Sequence, residues 1–274
     1  LHLSIRRQRQ MCIRDRFIIE AGQDIILVDP YLSRPSSARP AMDKPEIDFN
    51  RVRAIFVTHG HFDHAMDIPA LFSAHPVPIF GPPSVMELLV SKGVGGAWLR
   101  PLLPGQDVDY GVVKVRAVPS KHIVYDVPLI FRTLIRCLWR LPEMIRLGRD
   151  WPMCEVYGYI FEFEGVSVAH FGSAGWDPDI ISSLSPDIAL IPVQGRTDIC
   201  RVAAEMVDLI NPKVAVLQHW DDFYPPLSQL IPLEPCLDQL KGRSKRYFVP
   251  TIGKSFDVHL HNKSSFDERN QPGR

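Results

Sequence analysis

The chain has 274 residues, 46% of them hydrophobic and 23% charged, with 31 basic side chains balancing 31 acidic ones. That composition suggests neither a disordered nor a membrane-integral protein and leaves room for one sizeable α/β core. Formal neutrality leaves no electrostatic footprint for nucleic acid, so no nucleic-acid partner is expected.

Residues 1–16, LHLSIRRQRQMCIRDR, are arginine-rich and follow neither a helical nor a strand period. The MCIRDR run resembles translated adaptor sequence, so the segment is set aside as a non-native or disordered extension; the competing reading is a basic arm. From Phe17, short β-branched runs alternate with helical stretches, which points to strand and helix layers. Strands are expected at FIIE, DIILVD, VRAIFVT, VPIF, VKVRAV, YGYIFEFE, VSVAHF, IALIPV, VAVLQH, RYFVP and SFDVHL. Apolar spacing predicts helices over 66–74, 83–92, 180–184, 197–210 and 233–240, with Asp177 and Pro178 as entry residues for the third. FEFEGVSVAHF reads as a hairpin turning at Glu164 and Gly165. One domain is expected over 17–260, followed by a polar, disordered tail over 261–274.

Cys12, Cys137, Cys154, Cys200 and Cys236 are scattered, odd in number and without a Cys-x-x-Cys pair. They are expected to be small buried hydrophobes of a reduced, cytoplasmic protein. No apolar run is long enough to span a bilayer, and the start lacks the order of a secretory signal.

The chemistry concentrates in VRAIFVTHGHFDHAMD, where an apolar strand ends at Thr58 and His59, His61, Asp63 and His64 follow within six residues. Alternation after a strand end points His59 and His61 the same way, while Asp63 and His64 open the next helix. Imidazole and carboxylate together suit zinc, iron or manganese. His122 follows the strand VKVRAVPS and His219 follows VAVLQ, so two further histidines stand at strand ends. His75, His170, His259 and His261 are isolated and are read as structural.

The order Asp29, the His59 to His64 cluster, His122, a Gly-rich turn and His219 resembles the metallo-β-lactamase superfamily over nearly the whole chain. DPYLS after DIILV, and QHWDDF around the last histidine, are similar to the branch holding ascorbate-6-phosphate lactonase and the N-acylphosphatidylethanolamine-hydrolysing phospholipase D. The resemblance implies a four-layer αβ/βα sandwich of two mixed sheets flanked by helices. It implies one or two divalent metal ions, Zn2+ or else Mn2+ or Fe2+, one on His59, His61 and His122 and the other on Asp63, His64 and His219. Asp29 would brace the histidine loop, and Asp221 would stand behind the ligands. Where the family carries a bridging Asp, this chain reads Gly172, Ser173, Ala174, Gly175; Ser173 is a neutral hydroxyl and a poor ligand. Uneven metal occupancy is therefore expected.

The segment YDVPLIFRTLIRCLWRLPEMIRLGRDWP lies in a helical, lid-like insert at about 124–154 and reads as an amphipathic helix broken near Pro142. Arg132, Arg136 and Arg140 form a basic stripe beside a broad apolar surface. Three readings stand: a packed helix with solvated arginines, a lid gripping an anionic or acyl substrate, and weak membrane contact through 129–148. Arg132, Arg136 and Trp139, with Trp220, are the candidate substrate contacts. The expected function is hydrolysis of an ester, lactone, amide or phosphodiester bond in a small or lipid-like molecule, by hydroxide generated at the metal, with Asp63 orienting the nucleophile. The alternative is a metal-binding protein without turnover, the chemistry lost with the carboxylate at Ser173.

Overall fold

The computed structural model describes residues 10–13, 16–41, 47–111, 113–163, 165–241, 246–250 and 255–256. Two seven-stranded sheets face each other. The first contains β1 (Gln10–Ile13), β2 (Arg16–Ala21), β3 (Asp24–Val28), β4 (Val52–Phe56), β5 (Ile79–Gly81), β6 (Leu99–Pro101) and β14 (Ser255–Phe256), ordered β14-β1-β2-β3-β4-β5-β6. The second contains β7 (Asp107–Tyr110), β8 (Val113–Pro119), β9 (Tyr157–Phe163), β10 (Val166–Phe171), β11 (Ile188–Pro192), β12 (Val214–Gln218) and β13 (Arg246–Phe248), ordered from β13 through to β7. Both are mixed: β3 to β6 and β10 to β13 run parallel, and the remaining pairs are antiparallel.

The side-chain period of two decides which layer each strand residue joins. Ile26 and Val28 of β3 and Val214 and Val216 of β12 meet Phe56, Tyr159 and Phe161 in the core between the sheets. Ile25 and Leu27 turn outward onto α1 (Phe62–Ala65), α2 (Ile68–Ala74) and α3 (Pro83–Ser91). Ala215 and Leu217 turn outward onto α6 (Pro178–Ser182), α7 (Ile199–Ile210) and α8 (Glu234–Lys241). Strands buried on both faces have no polar alternation to display, which is why the sequence presents them as continuous apolar runs. The result is the expected four-layer sandwich. The expected hairpin is present, with Phe163 opposite Val166 and Gly165 at φ +76°.

The insert is two helices, α4 (Val127–Cys137) and α5 (Leu141–Asp150), joined by a 3-10 turn at Leu138–Arg140. Asp126 caps α4 by accepting from the Leu129 N–H, and Pro142 sits in the first turn of α5, where its missing N–H costs nothing. The break expected near Pro142 is thus the turn that precedes it. Among the described residues no helix is long and apolar enough to cross a membrane.

Three findings differ from the sequence reading. β1 lies inside the segment set aside at 1–16 and pairs with β2 along Gln10 to Ile13. β6 and β7 were not anticipated: β6 is three residues long, and β7 reads DVDY, with acidic residues on its exposed positions. Cys200 and Cys236 form a disulfide linking α7 to α8, correcting the expectation of unpaired cysteines; 36 residues separate them, so no local spacing announced the pair. Cys137 and Cys154 are free. The 261–274 tail, His259 and His261 lie outside the described residues.

Candidate metal centre

Five strands deliver the centre from one edge of the sandwich: Asp29 follows β3, the His59 to His64 loop follows β4, His122 follows β8, Ser173 follows β10 and His219 follows β12. Asp29 and His219 have φ of +47° and +56°, in the left-handed region that non-glycine residues seldom occupy. Backbone in this region recurs at functional sites.

The loop after β4 needs a glycine at position 60. A Cβ there would lie 2.3 Å from the Pro152 carbonyl oxygen, and the Gly60 N–H donates to the Met153 carbonyl at 2.8 Å. The chain leaving α5 thus passes directly against the histidine loop. Gly172 is similarly forced, since a Cβ would meet the Thr58 hydroxyl at 2.1 Å.

Two groups of three ligand atoms form, each group with its atoms within 4.8 Å of one another: His59, His61 and His122, and Asp63, His64 and His219. These are the two sets implied by the family resemblance. His59 Nε2 lies 3.2 Å from His61 Nδ1; His64 Nε2 and His219 Nε2 lie 3.5 and 3.9 Å from Asp63 Oδ2. The imidazoles of the first group are poised as neutral ligands. Burial first, then neighbouring imidazoles, hold His59 well below its ordinary value and His61 at about 3. Burial also brings His122 to about 4, against the opposing pull of its bond to the Ile123 carbonyl. His122 Nδ1 donates to that carbonyl at 2.9 Å, which leaves Nε2 with its lone pair free to bind.

Behind the ligands Asp29 is fully buried and makes four contacts. It accepts from the Thr58 N–H at 2.7 Å and the Thr58 hydroxyl at 2.6 Å, and its Oδ2 lies 2.9 Å from His64 Nδ1 and 3.5 Å from His170 Nε2. Burial pushes its carboxyl up, but the charge of His64 and the bonds from His170 and His64 outweigh this and hold it well below the usual carboxylate range. Asp29 is thus held as an anion beside His64, behind the two ligand groups. His170, read from sequence as merely structural, belongs to this support. Asp67 adds to it on the other side, accepting from the N–H groups of Leu32 and Ser33.

Ser173 lines the cavity, and its Oγ accepts from the Ile123 N–H at 3.0 Å. It steadies the turn that carries His122. Asp221 is buried with its carboxylate 3.6 Å from the Arg34 guanidinium, while its carbonyl accepts from the Gln194 amide, so it anchors the chain just after His219.

A cavity of about 340 Å3 opens over both groups. Its polar floor is His61, Asp63, His64, His122, Ser173 and His219; its roof is Leu129, Ile130, Leu134, Met144, Leu147 and Trp151 from the insert. The insert is therefore a lid by position. None of the four residues expected to contact substrate lines the cavity. The Arg136 guanidinium donates to the Ser228 carbonyl at 3.1 Å and to Gln229 Oε1 at 3.3 Å. Arg132 and Trp139 face outward, and Trp220 packs toward the layer of α7 and α8. Four-residue spacing grouped the arginines but could not say that Arg136 and Arg140 turn to the loop after His219 while Arg132 stays exposed. The residues that do line the roof are apolar ones, Leu129, Ile130 and Leu134 on α4 and Met144 and Leu147 on α5, with Trp151 just after it.

The family model described as "Beta-lactamase superfamily domain" matches residues 24–220. The UPF0173 protein of Pyrococcus furiosus is 27% identical over 209 residues, 76% of this chain and 80% of that one. A UPF0173 metal-dependent hydrolase of Polynucleobacter asymbioticus is 27% identical over 205 residues, covering 72% of this chain and 68% of the relative. Among solved structures, Igni18, a metallo hydrolase of Ignicoccus hospitalis, superposes with a TM-score of 0.62 at 17% identity, over 92% of this chain and 99% of that one, a likeness of fold. The matched segment begins at the first residue of β3 and ends one residue past His219, taking in every ligand of both groups, and the chain belongs to the beta-lactamase superfamily.

Proposed function

We propose that the chain is a metal-dependent hydrolase acting on an ester, lactone, amide or phosphodiester bond of a small or lipid-like molecule. The observation that carries this reading is the meeting of the two ligand groups beneath one apolar-roofed cavity. The donors fit a divalent cation: neutral imidazoles and a carboxylate suit Zn2+, Mn2+ or Fe2+, and three protein ligands per ion leave a position open. When bound, such an ion supplies a nucleophile at neutral pH and Lewis acidity toward the scissile carbonyl or phosphoryl oxygen.

The chain's own residues do the rest. Asp63, beside His64 and His219, orients the attacking water and takes up its proton. The insert excludes bulk water above the site. Among the described residues lining the cavity there is no lysine or arginine, so the non-reacting part of the substrate has no counter-charge to meet. The cavity therefore favours an apolar acyl or aryl group over an anionic one.

The replacement of the bridging carboxylate by Ser173 favours a second reading, metal binding without turnover. A panel of acyl esters of graded chain length, aryl lactones and phosphodiesters, assayed with and without chelator, separates the two. Chelator-sensitive turnover that improves with apolar chain length is the expected result. Silence across the panel by protein carrying stoichiometric metal overturns the hydrolase reading in favour of the second.

A further inference from the structure

The outer side of the insert is as apolar as its inner side. Of the sixteen large hydrophobic side chains exposed among the described residues, eleven lie between Val124 and Ile145; Tyr125, Ile130 and Leu134 of these line the cavity, and the other eight lie off it, so the outer exposure is one patch rather than scattered single residues. Val127, Phe131, Ile135 and Leu138 recur at helical spacing, 78%, 66%, 61% and 69% exposed, and Trp139 beside them is 76% exposed. The insert carries five arginines against three acids. Of the arginines, Arg132, Arg146 and Arg149 are exposed, Arg149 in a surface pair with Asp150 at 3.3 Å, whereas Arg136 and Arg140 are engaged with the segment 224–229.

We infer that this face docks on an anionic lipid surface, with Phe131, Leu138 and Trp139 entering the interface and Arg132, Arg146 and Arg149 meeting acidic headgroups. Aromatic and aliphatic residues on a short amphipathic helix flanked by arginine are what interfacial attachment requires, and neither helix is long enough to span a bilayer. A second copy of the chain fits less well. A two-fold contact through this patch would set the same arginine-rich rim against itself. The patch is also the outer surface of the cavity roof, with Leu129 and Leu147 reaching inward from the same two helices, so the docked face and the cavity share one structural unit.

The inference goes beyond the proposed hydrolysis and does not depend on it, because lipid binding needs neither metal nor turnover. Co-sedimentation of the full chain, metal-loaded and metal-free, with vesicles of phosphatidylcholine alone or mixed with phosphatidylglycerol tests it. Binding to the mixed vesicles, weakened at about 1 M salt where the screening length falls to about 3 Å, is expected. Arg146→Glu/Arg149→Glu should lower the partition at least about tenfold, and Phe131→Ser/Leu138→Ser should abolish it. All four positions are exposed, so both variants should keep the wild-type circular dichroism and melting temperature. Absence of binding to either vesicle overturns the inference, as does equal binding by wild type and both variants. A dimer in sedimentation equilibrium that Phe131→Ser/Leu138→Ser dissolves, without vesicle binding, overturns it in favour of a second copy.

Discussion

The Asp29 carboxylate stands 2.9 Å from Nδ1 of His64, at the bottom of the site and out of reach of solvent. The contact fixes the ring's orientation and leaves Nε2 facing Asp63 and His219. Asp29→Asn keeps the shape but removes the anion. The expected result is a loss of metal affinity of about 10- to 100-fold, the usual effect of removing a partner behind a ligating histidine, with the fold retained. Competition with a chromophoric chelator measures it, and an unchanged affinity would show that Asp29 serves only the Thr58 turn.

Ser173 contributes a hydroxyl where a carboxylate would add a charge to both groups. The two groups are therefore expected to fill unequally, one tightly and one weakly. Ser173→Asp can still accept from the Ile123 N–H and should raise the metal content toward two per chain. Elemental analysis after dialysis distinguishes this from a wild type that already holds two ions firmly and gains nothing from the substitution.

Gly60 is where the chain leaving the insert presses on the histidine loop. Gly60→Ala must displace either the Pro152 carbonyl or His59 and His61, costing about 1–3 kcal/mol. The expected signature is a lowered melting temperature together with weakened metal binding. Gly148→Ala, on α5 with open space around it, serves as the control: it should leave metal binding unchanged and hold or raise the melting temperature, as a helical Gly→Ala does.

Glu143 ties the lid to the chain beyond His219. Its carboxylate accepts from the Arg140 guanidinium, with the Arg140 Nε at 2.6 Å, and from the Tyr224 hydroxyl. The Arg140 guanidinium, then the Tyr224 hydroxyl, hold Glu143 down at about 2, below its ordinary value of 4.5. A depressed carboxylate stabilises the fold above its unfolded value, and that stabilisation disappears as pH falls from about 4.5 toward about 2. The difference in melting temperature between wild type and Glu143→Gln should therefore be positive at neutral pH and shrink through this window. The pair is partly exposed, so the effect is on the order of 1 kcal/mol. A difference that does not vary with pH would remove the clasp from the account.

Most of the fold was legible because its strands are buried on both faces and its ligands stand at strand ends. The apolar runs IILV and VAVL announce β3 and β12, VRAIF announces β4 with only Arg53 breaking its apolar character, and the dense cluster from His59 to His64 has no ordinary structural explanation. What stayed hidden depends on contacts between distant segments. His170 looks like any histidine in a strand until Asp29, 141 residues away, is found beside it. Arg136 looks like a substrate contact until its partner proves to be the Ser228 carbonyl, 92 residues on. Cys200 and Cys236 meet only because α7 packs on α8. Periodicity reports which residues share a face; it does not report what that face meets.

The claim on which the rest depends is that His59, His61 and His122, and Asp63, His64 and His219, bind divalent cations. Anomalous scattering from crystals of the purified protein, collected on either side of the absorption edge of the metal it carries, tests this most directly. The account predicts a peak within about 2.0–2.2 Å of histidine nitrogens in at least one of the two groups, lost in a His61→Ala/His219→Ala double variant. Metal bound elsewhere on the chain, with neither group occupied in metal-saturated crystals, would contradict it.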